Sequence, residues 1–204
     1  MRKSMERLYD NLGEAKAFSL SFTNFAYYYD DVHWGDFKTV TCETCKYKIQ
    51  TKDYLFPKAS CKKPTSILQT LEFGVSPDLR DDLITRFDIT EADFRPIRTK
   101  RGEIVYYQIT PQHVMLPLHA ENGWQPQKAC PECGAVQYNR PRRENEKGEP
   151  FLLISQTALD DMHDLNITYE RFGLYIPDYV ISRRVFDYLT DRYPRTHYCP
   201  FFLK

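Results

Sequence analysis

The spacing of apolar residues in the central stretch "GVSPDLRDDLITRF" changes at Ser76. A short apolar run ends just before it, and Leu79, Leu83 and Phe87 then follow at the spacing of one helix face. Serine is a preferred helix N-cap, and Pro77 suits the first helical turn because its missing N–H is not needed there. This stretch therefore predicts the end of a strand, a serine cap and a short amphipathic helix.

Two later stretches, "ISQTALDDMHDLNIT" and "ISRRVFDYLTDRYP", repeat this pattern. In both, a serine is followed by apolar residues at plus three and plus seven: Ser155, Ala158 and Met162, then Ser182, Val185 and Leu189. Short helices capped by serine are common, so the repeat predicts three helices packed on a shared sheet and indicates no function by itself.

Strand character is strongest in "EIVYYQIT" (103–110) and at 17–22, with a second N-terminal strand expected at 25–29. The charged, proline-bounded segment 139–150 predicts a loop. We expect an α+β fold in a single domain, 1–204, with the helices on a mixed or antiparallel sheet. Its predicted parts are a zinc-ribbon-like pair of segments (38–50 and 127–139), an inserted strand-helix unit (51–126) and C-terminal strand-helix units (151–204).

The composition and charge of the chain exclude several classes of function. Lys plus Arg and Asp plus Glu both number 28, so the chain has no global positive field of the kind that favours nonspecific nucleic-acid binding. The charged N-terminus does not read as a secretory signal, and no apolar run is long enough to span a membrane. We therefore expect a cytoplasmic protein that does not bind membranes, although a secreted disulfide protein is an alternative for its six cysteines.

Four of the cysteines form two CxxC pairs, in "VTCETCKYK" and "KACPECGAVQY". Two residues between ligands allow a tight turn to direct both thiolates at one ion, and two such turns complete the tetrahedral set that Zn²⁺ accepts. The predicted ligands are Cys42, Cys45, Cys130 and Cys133. Gly134 is expected to take a positive φ behind the second pair, where the first pair has Lys46. Four thiolates leave no open position, so the predicted Zn²⁺ is structural.

Other interpretations of the cysteines stay open. The pairs could be unrelated buried thiols, or a redox motif, although Pro131 and Gly134 suit a turn better than the helix that a thioredoxin-like CxxC begins. Cys61 and Cys199 have no partner at ligand spacing; either could replace a member of the ligand set, but unpaired thiols are the simpler interpretation. The histidines show no HxxxH or HExxH spacing that would indicate a second metal centre.

The order of these features resembles the double-CXXCG motif family, bacterial proteins grouped with the immunity proteins of polymorphic toxin systems. The resemblance covers most of the chain from about Phe18 onward, and its sharp motifs are Cys42-Glu-Thr-Cys45 and Cys130-Pro-Glu-Cys133-Gly134. It implies the same four cysteines as zinc ligands. The first motif departs from the family pattern because Lys46 stands where the family has glycine.

The resemblance implies a protein that neutralises a cognate toxin by binding it and is not an enzyme. In agreement, the sequence has no phosphate-binding glycine loop and no nucleophile elbow. His119 with Glu121, and His163 with Asp160 and Asp161, are the acid–base groupings that could be drawn, and exposed groups of this kind are usually only solvated.

The binding surface is not determined by the sequence, nor is the oligomeric state. One hypothesis places acidic and aromatic contacts at "YYYDD" (27–31) with Asp36, although the same letters fit a strand that ends in a turn. The main alternative is that the chain is a zinc-ribbon protein that binds nucleic acid or has a regulatory role. That alternative depends on "RPIRTKR" (95–101) and "NRPRR" (139–143), the second directly behind Tyr138, which could stack on a base.

Overall fold

The computed structural model describes residues 2–20, 38–46, 48–50, 53, 67–69, 73–99, 101–139, 143–172, 176–192 and 198–204. The helices are α1 (Arg2–Leu8), α2 (Pro77–Arg86), α3 (Gln156–Asp160) and α4 (Arg183–Arg192). The strands are β1 (Ala17–Leu20), β2 (Lys38–Val40), β3 (Lys48–Gln50), β4 (Ile67–Gln69), β5 (Phe73–Val75), β6 (Phe94–Arg98), β7 (Ile104–Ile109), β8 (Gln125–Pro126), β9 (Tyr138–Asn139), β10 (Leu152–Ile154), β11 (Leu165–Phe172), β12 (Ile176–Ser182) and β13 (Tyr198–Leu203).

The chain divides into two compact units, one formed by 1–21 with 112–204 and the other by 22–111. The α+β class is confirmed, since helices and strands are mixed in the described residues. The prediction of a single domain stays a prediction. Among the described residues, no helix has the length and apolar character that crossing a membrane requires.

The first unit is built on a five-stranded mixed sheet of order β10-β13-β1-β12-β11, in which β10 and β13 are parallel and the other pairs antiparallel. Side chains alternate between the two faces of a strand, so Ala17 and Phe18 point to opposite sides. Phe18 stacks on Phe186 of α4, with ring centroids 3.6 Å apart. Ala17 packs in a cluster with Ala158 of α3. Both faces of this sheet are therefore covered.

All three predicted serine caps are confirmed. The Ser76 hydroxyl accepts a hydrogen bond from Leu79 N–H at 3.3 Å, and Ser155 does the same for Ala158 at 3.2 Å. The third hydroxyl, of Ser182, lies 3.4 Å from the amide three residues later. The helix behind Ser155 ends at Asp160, so the predicted helical position of Met162 is wrong. Met162 lies beyond the helix and packs, half-buried, against the same core cluster.

The second unit contains a four-stranded antiparallel sheet of order β4-β5-β7-β6, against which α2 packs through β7. The prediction that the three serine-capped helices share one sheet is therefore wrong, since α3 and α4 pack on the five-stranded sheet. The strand predicted at 103–110 is confirmed as β7. A separate hairpin joins β2 and β3. Strand β1 covers 17–20 of the predicted 17–22, and the strand expected at 25–29 lies outside the described residues.

Residues 112–126, which the sequence places at the end of the insert, belong to the first unit. Met115 and Leu118 are buried in its core cluster, at 0% and 6% exposure. The backbone beside them pairs with the edge of β11, since Met115 N–H donates to Ile167 O and Ile167 N–H donates to His113 O. Burial of these side chains, which no local spacing indicates, decides where this segment belongs.

Of the loop predicted at 139–150, residue 139 ends strand β9, and the part from residue 143 onward packs on the C-terminal end of α1. Asn145 Nδ2 donates to Leu8 O, and Lys147 Nζ donates to Arg7 O, both at 2.9 Å. The last carbonyls of a helix lack partners within it, and a cation there is favoured by the helix dipole. The charges of this loop therefore stabilise the N-terminal helix.

Glu170 on β11 is a buried acid, 4% exposed. Its Oε1 accepts a hydrogen bond from Leu118 N–H at 2.9 Å, whereas its Oε2 is buried and receives none from the described residues. Burial raises the pKa of Glu170 above its ordinary value of 4.5, and the negative charge of Asp178 raises it further. The folded state therefore holds the Glu170 proton more tightly than the unfolded state does.

We expect Glu170→Gln to stabilise the chain at neutral pH, because a neutral amide removes the cost of a buried charge. A raised folded-state pKa contributes stability that is complete below 4.5 and is lost as pH rises through the folded-state pKa. The gain in unfolding free energy of Glu170→Gln over wild type should thus be largest above that pKa and shrink towards pH 4.5. Urea unfolding at several pH values measures it. Glu146→Gln at an exposed site is the control, and a gain for Glu170→Gln that does not change with pH would contradict the expectation.

Candidate metal centre

Cys42 and Cys45 lie in the connection of a short antiparallel hairpin. Strands β2 and β3 pair directly on either side, with Val40 opposite Lys48. The residue after the second cysteine, Lys46, has φ +57° and is the one non-glycine residue with positive φ among those described. The chain therefore reverses direction over the CxxC motif itself.

Cys130 and Cys133 lie in a second hairpin of the same kind. Strands β8 and β9 pair at its base, and Gln127 N–H donates to Gln137 O at 2.7 Å further along. At the tip, Cys130 N–H donates to Ala135 O and Gly134 N–H donates to Cys130 O, both at 2.9 Å. Gly134 has φ +70°, which confirms the predicted positive φ. These two backbone hydrogen bonds hold Cys130 and Cys133 on one tight turn.

The Sγ atoms of Cys42, Cys45, Cys130 and Cys133 all lie within 4.8 Å of one another. A tetrahedral ion with metal–sulfur bonds of about 2.3 Å needs sulfur–sulfur distances of about 3.8 Å. The upper limit of 4.8 Å on the observed distances is close to that spacing. The four cysteines thus form a cluster that could bind a metal ion. Their sulfur atoms are close together although residues 46–129 separate the two motifs in sequence.

Exposure differs within each motif. The first cysteines, Cys42 and Cys130, are buried at 5% and 7% exposure. The second ones are more open, since Cys45 is half-buried and Cys133 is exposed. The cluster therefore has two shielded thiols and one side that solvent reaches.

A cation lies beside the first motif. Lys46 Nζ donates to the Glu43 carboxylate at 2.5 Å. This hydrogen bond and the charge of Glu43 raise the pKa of Lys46, and the charge of Cys42 adds a smaller upward effect. A set of four thiolates around a divalent ion carries net negative charge, so a lysine there reduces the local repulsion.

The left-handed backbone at Lys46 allows a direct test of the shared turn. A residue with a Cβ pays about 1–2 kcal/mol in this conformation, whereas glycine does not. We expect Lys46→Gly to raise the free energy of unfolding by roughly 0.5–1 kcal/mol, since the exposed ion pair with Glu43 that it removes contributes little.

The matched change, Gly134→Ala, should lower the unfolding free energy by about 1 kcal/mol. A Cβ at Gly134 meets nothing within 4 Å, so this cost comes from the backbone conformation alone. Neither variant removes a cysteine, so both should keep the four-cysteine cluster. Denaturant unfolding measures the two changes, and effects of the same sign would show that the two turns are not equivalent.

The other candidate residues lie elsewhere. Cys199 is buried in the core cluster of the first unit, and its Sγ donates to Pro150 O at 3.4 Å. Cys61, the "YYYDD" segment and Asp36 lie outside the described residues. No described histidine belongs to the four-cysteine cluster.

The acid–base groupings have local structural contacts. His119 Nδ1 accepts a hydrogen bond from Glu121 N–H at 3.2 Å, at the start of a short 3₁₀ turn. The rings of His113 and His163 stack with centroids 4.2 Å apart, and Asp161 Oδ2 lies 3.2 Å from His113 Nε2. Asp161 also accepts a hydrogen bond from a backbone amide, which fits a role in holding the loop. Sequence reasoning missed the contact between the two histidines, because they are far apart in sequence.

Three described arginines of the two basic segments make contacts within the chain. Arg95 Nε donates to Asp53 Oδ1 at 2.7 Å, and Arg98 Nη1 donates to Gly102 O at 3.0 Å. Arg143 donates to the backbone carbonyl of Glu121 and lies over the Phe151 ring, 5.5 Å from its centroid. The Asp53 carboxylate offsets the charge of Arg95, and the other contacts use guanidinium donors that a phosphate would otherwise engage.

Comparisons with known proteins do not place the chain in a family. No family model matches it, and neither the curated proteins nor the solved structures contain a match.

Proposed function

We propose that this protein is an immunity protein that binds and neutralises a cognate bacterial toxin, and that a structural Zn²⁺ on Cys42, Cys45, Cys130 and Cys133 holds its fold. The observation that carries the proposal is the cluster of four sulfur atoms within 4.8 Å, formed by the two motifs on which the family resemblance rests. The toxin-binding part of the proposal rests on that resemblance.

Zinc is the metal that best suits this ligand set. A set of four thiolates with tetrahedral spacing favours Zn²⁺ or iron, and Zn²⁺ has no redox chemistry of its own. The two hairpins that present the cysteines would form a zinc-ribbon-like centre. When bound, the ion would supply cross-linking and no catalysis, because four protein ligands leave no position for water or substrate. The residues contribute thiolates on preformed turns, which lowers the entropy lost on binding.

Neutralisation would occur by occupation of the toxin surface and not by a reaction. A binding protein needs a rigid, complementary face, and each of the two compact units contains a sheet on which helices pack. Many toxins attack nucleic acids and carry basic clefts, so an acidic surface on the immunity protein would speed association with them.

Co-expression with the toxin encoded beside this gene tests the proposal. We expect cells that produce both proteins to survive, and the two proteins to elute together in gel filtration. Continued killing together with the absence of a complex would refute toxin neutralisation.

Affinity capture from a native lysate, with and without nuclease, distinguishes the immunity proposal from the nucleic-acid alternative. A protein partner that is retained after nuclease treatment supports the immunity proposal. Captured nucleic acid that is lost with nuclease and with added salt would favour the alternative instead, because phosphate contacts are salt-dependent.

A further inference from the structure

The cysteines of the four-cysteine cluster differ in their exposure to solvent. Cys130 is 7% exposed, but Cys133, three residues later on the same turn, is exposed to solvent. Their Sγ atoms lie within 4.8 Å of each other. The remaining described cysteine outside the cluster, Cys199, is buried at 5% exposure. Cys133 is therefore more accessible to an oxidant in solution than the buried Cys42 and Cys130.

A bound metal would keep the exposed Cys133 in its reactive thiolate form. The thiolate and not the thiol is the nucleophile, and cysteine ligands of a metal are held deprotonated. Oxidation of cysteine by peroxide follows thiolate character and exposure, and it proceeds to a disulfide where a second thiol is close. Cys133 combines exposure with a neighbour on its own turn.

We propose that Cys133 is a peroxide-modification site, and that its oxidation opens the metal centre through a disulfide with Cys130. The inference rests on the proposed metal centre and is independent of toxin binding.

The Cys133 thiolate attacks one peroxide oxygen, the O–O bond breaks, and protonation of the departing hydroxide gives water and a sulfenic acid. The Cys130 thiolate then attacks the Cys133 sulfur, the S–O bond breaks, and a second proton converts the departing hydroxide to water. Two thiolates lose two electrons in total, and one peroxide gains them.

Cys130 is the residue that forms the disulfide with oxidised Cys133, because the turn holds the two cysteines close together. The hydrogen bonds of Cys130 N–H to Ala135 O and of Gly134 N–H to Cys130 O keep both cysteines on the same short loop. A disulfide needs a sulfur–sulfur distance of about 2.05 Å, which side-chain rotation within a CxxC loop can reach. Loss of two of four thiolates removes the closed ligand set, so the metal leaves.

The experiment treats the metal-loaded full-length chain with hydrogen peroxide and follows metal release with a colorimetric chelator. Intact mass then reports the disulfide as the loss of two hydrogens. Dimedone, which traps sulfenic acids, followed by peptide mapping shows which cysteine is oxidised first. We expect metal release to accompany disulfide formation, with the first dimedone adduct on Cys133.

The test variant, Cys133→His, replaces one thiolate by an imidazole, which is also a zinc ligand. We expect Cys133→His to release its metal at least about tenfold more slowly than wild type, since it lacks the exposed thiolate. Cys199→Ala is the control, because it removes a buried thiol outside the cluster and should release its metal at close to the wild-type rate. If Cys133→His fails to load metal, the mapping on the wild-type chain decides the question by itself.

The inference is overturned if metal stays bound under peroxide, if the first adduct lies on Cys42, Cys45 or Cys130, or if a metal-loaded Cys133→His chain releases metal as fast as wild type. A chain that purifies folded and free of metal overturns the proposed centre and this inference together. A chain that holds metal but resists peroxide overturns this inference alone.

Discussion

Replacement of Cys133 by serine is expected to release the bound metal and to destabilise the fold by several kcal/mol, since structural zinc ions contribute about 10–16 kcal/mol to the folding of small zinc-dependent domains. The reason is specific to the position. Cys133 is exposed, and substitution of an exposed side chain that has no special contact usually changes stability by less than about 0.5 kcal/mol. A large loss at Cys133 would therefore report ligation and not packing.

Metal content by elemental analysis and thermal unfolding measure the two consequences. Wild type purified without added metal should contain about one equivalent per chain, as a single four-ligand site requires. Cys133→Ser should contain far less. Cys199→Ala is the matched control, because Cys199 is buried in the core cluster. It should lose some stability but keep its metal. A folded Cys133→Ser chain with wild-type stability would show that the cluster does not hold a structural metal.

The second large effect is expected at Phe186. Its ring is fully buried between α4 and the five-stranded sheet and stacks on Phe18 at an interplanar angle of 7°. Truncation of a buried phenylalanine leaves a cavity as well as removing apolar contact, and typically costs about 3–5 kcal/mol. We expect Phe186→Ala to lower the free energy of unfolding by that amount, as measured by urea unfolding.

Tyr188→Ala on the same helix is the control. Tyr188 is half-buried and lies under Arg192, whose guanidinium is 4.1 Å from the ring centroid. A contact between an exposed cation and a ring contributes about 0.5–1 kcal/mol, so the loss there should be much smaller. Equal losses at the two positions would mean that α4 is not anchored through Phe186.

Features that depend on neighbouring residues were predictable from the sequence. A serine cap needs one hydroxyl and the amide three residues later, so the local pattern sufficed for Ser76, Ser155 and Ser182. The turn at Gly134 was predictable for the same reason, because a CxxC motif followed by glycine is a compact local signal. The two hairpins that present the cysteines follow from these short-range preferences.

Buried contacts between distant segments were not predictable in this way. Asp164 is 4% exposed and is bound by the Ser182 hydroxyl and the Arg184 guanidinium, a network in which the acid is far in sequence from both partners. The parallel pairing of β10 with β13 and the burial of Met115 depend on how the whole first unit packs. No window of sequence contains all the groups that compete for these positions.

The candidate metal centre also combines properties that are predictable from local sequence with properties that depend on packing. The sequence alone determined which four cysteines could share an ion, because ligand type and a two-residue spacing are local properties. The folding of the chain brings the four sulfur atoms within 4.8 Å and leaves Cys133 exposed while Cys42 and Cys130 are buried, and no local pattern showed either property. Proximity and burial are set by the packing of segments far apart in the chain, and the free energy of that packing is not contained in any one of them.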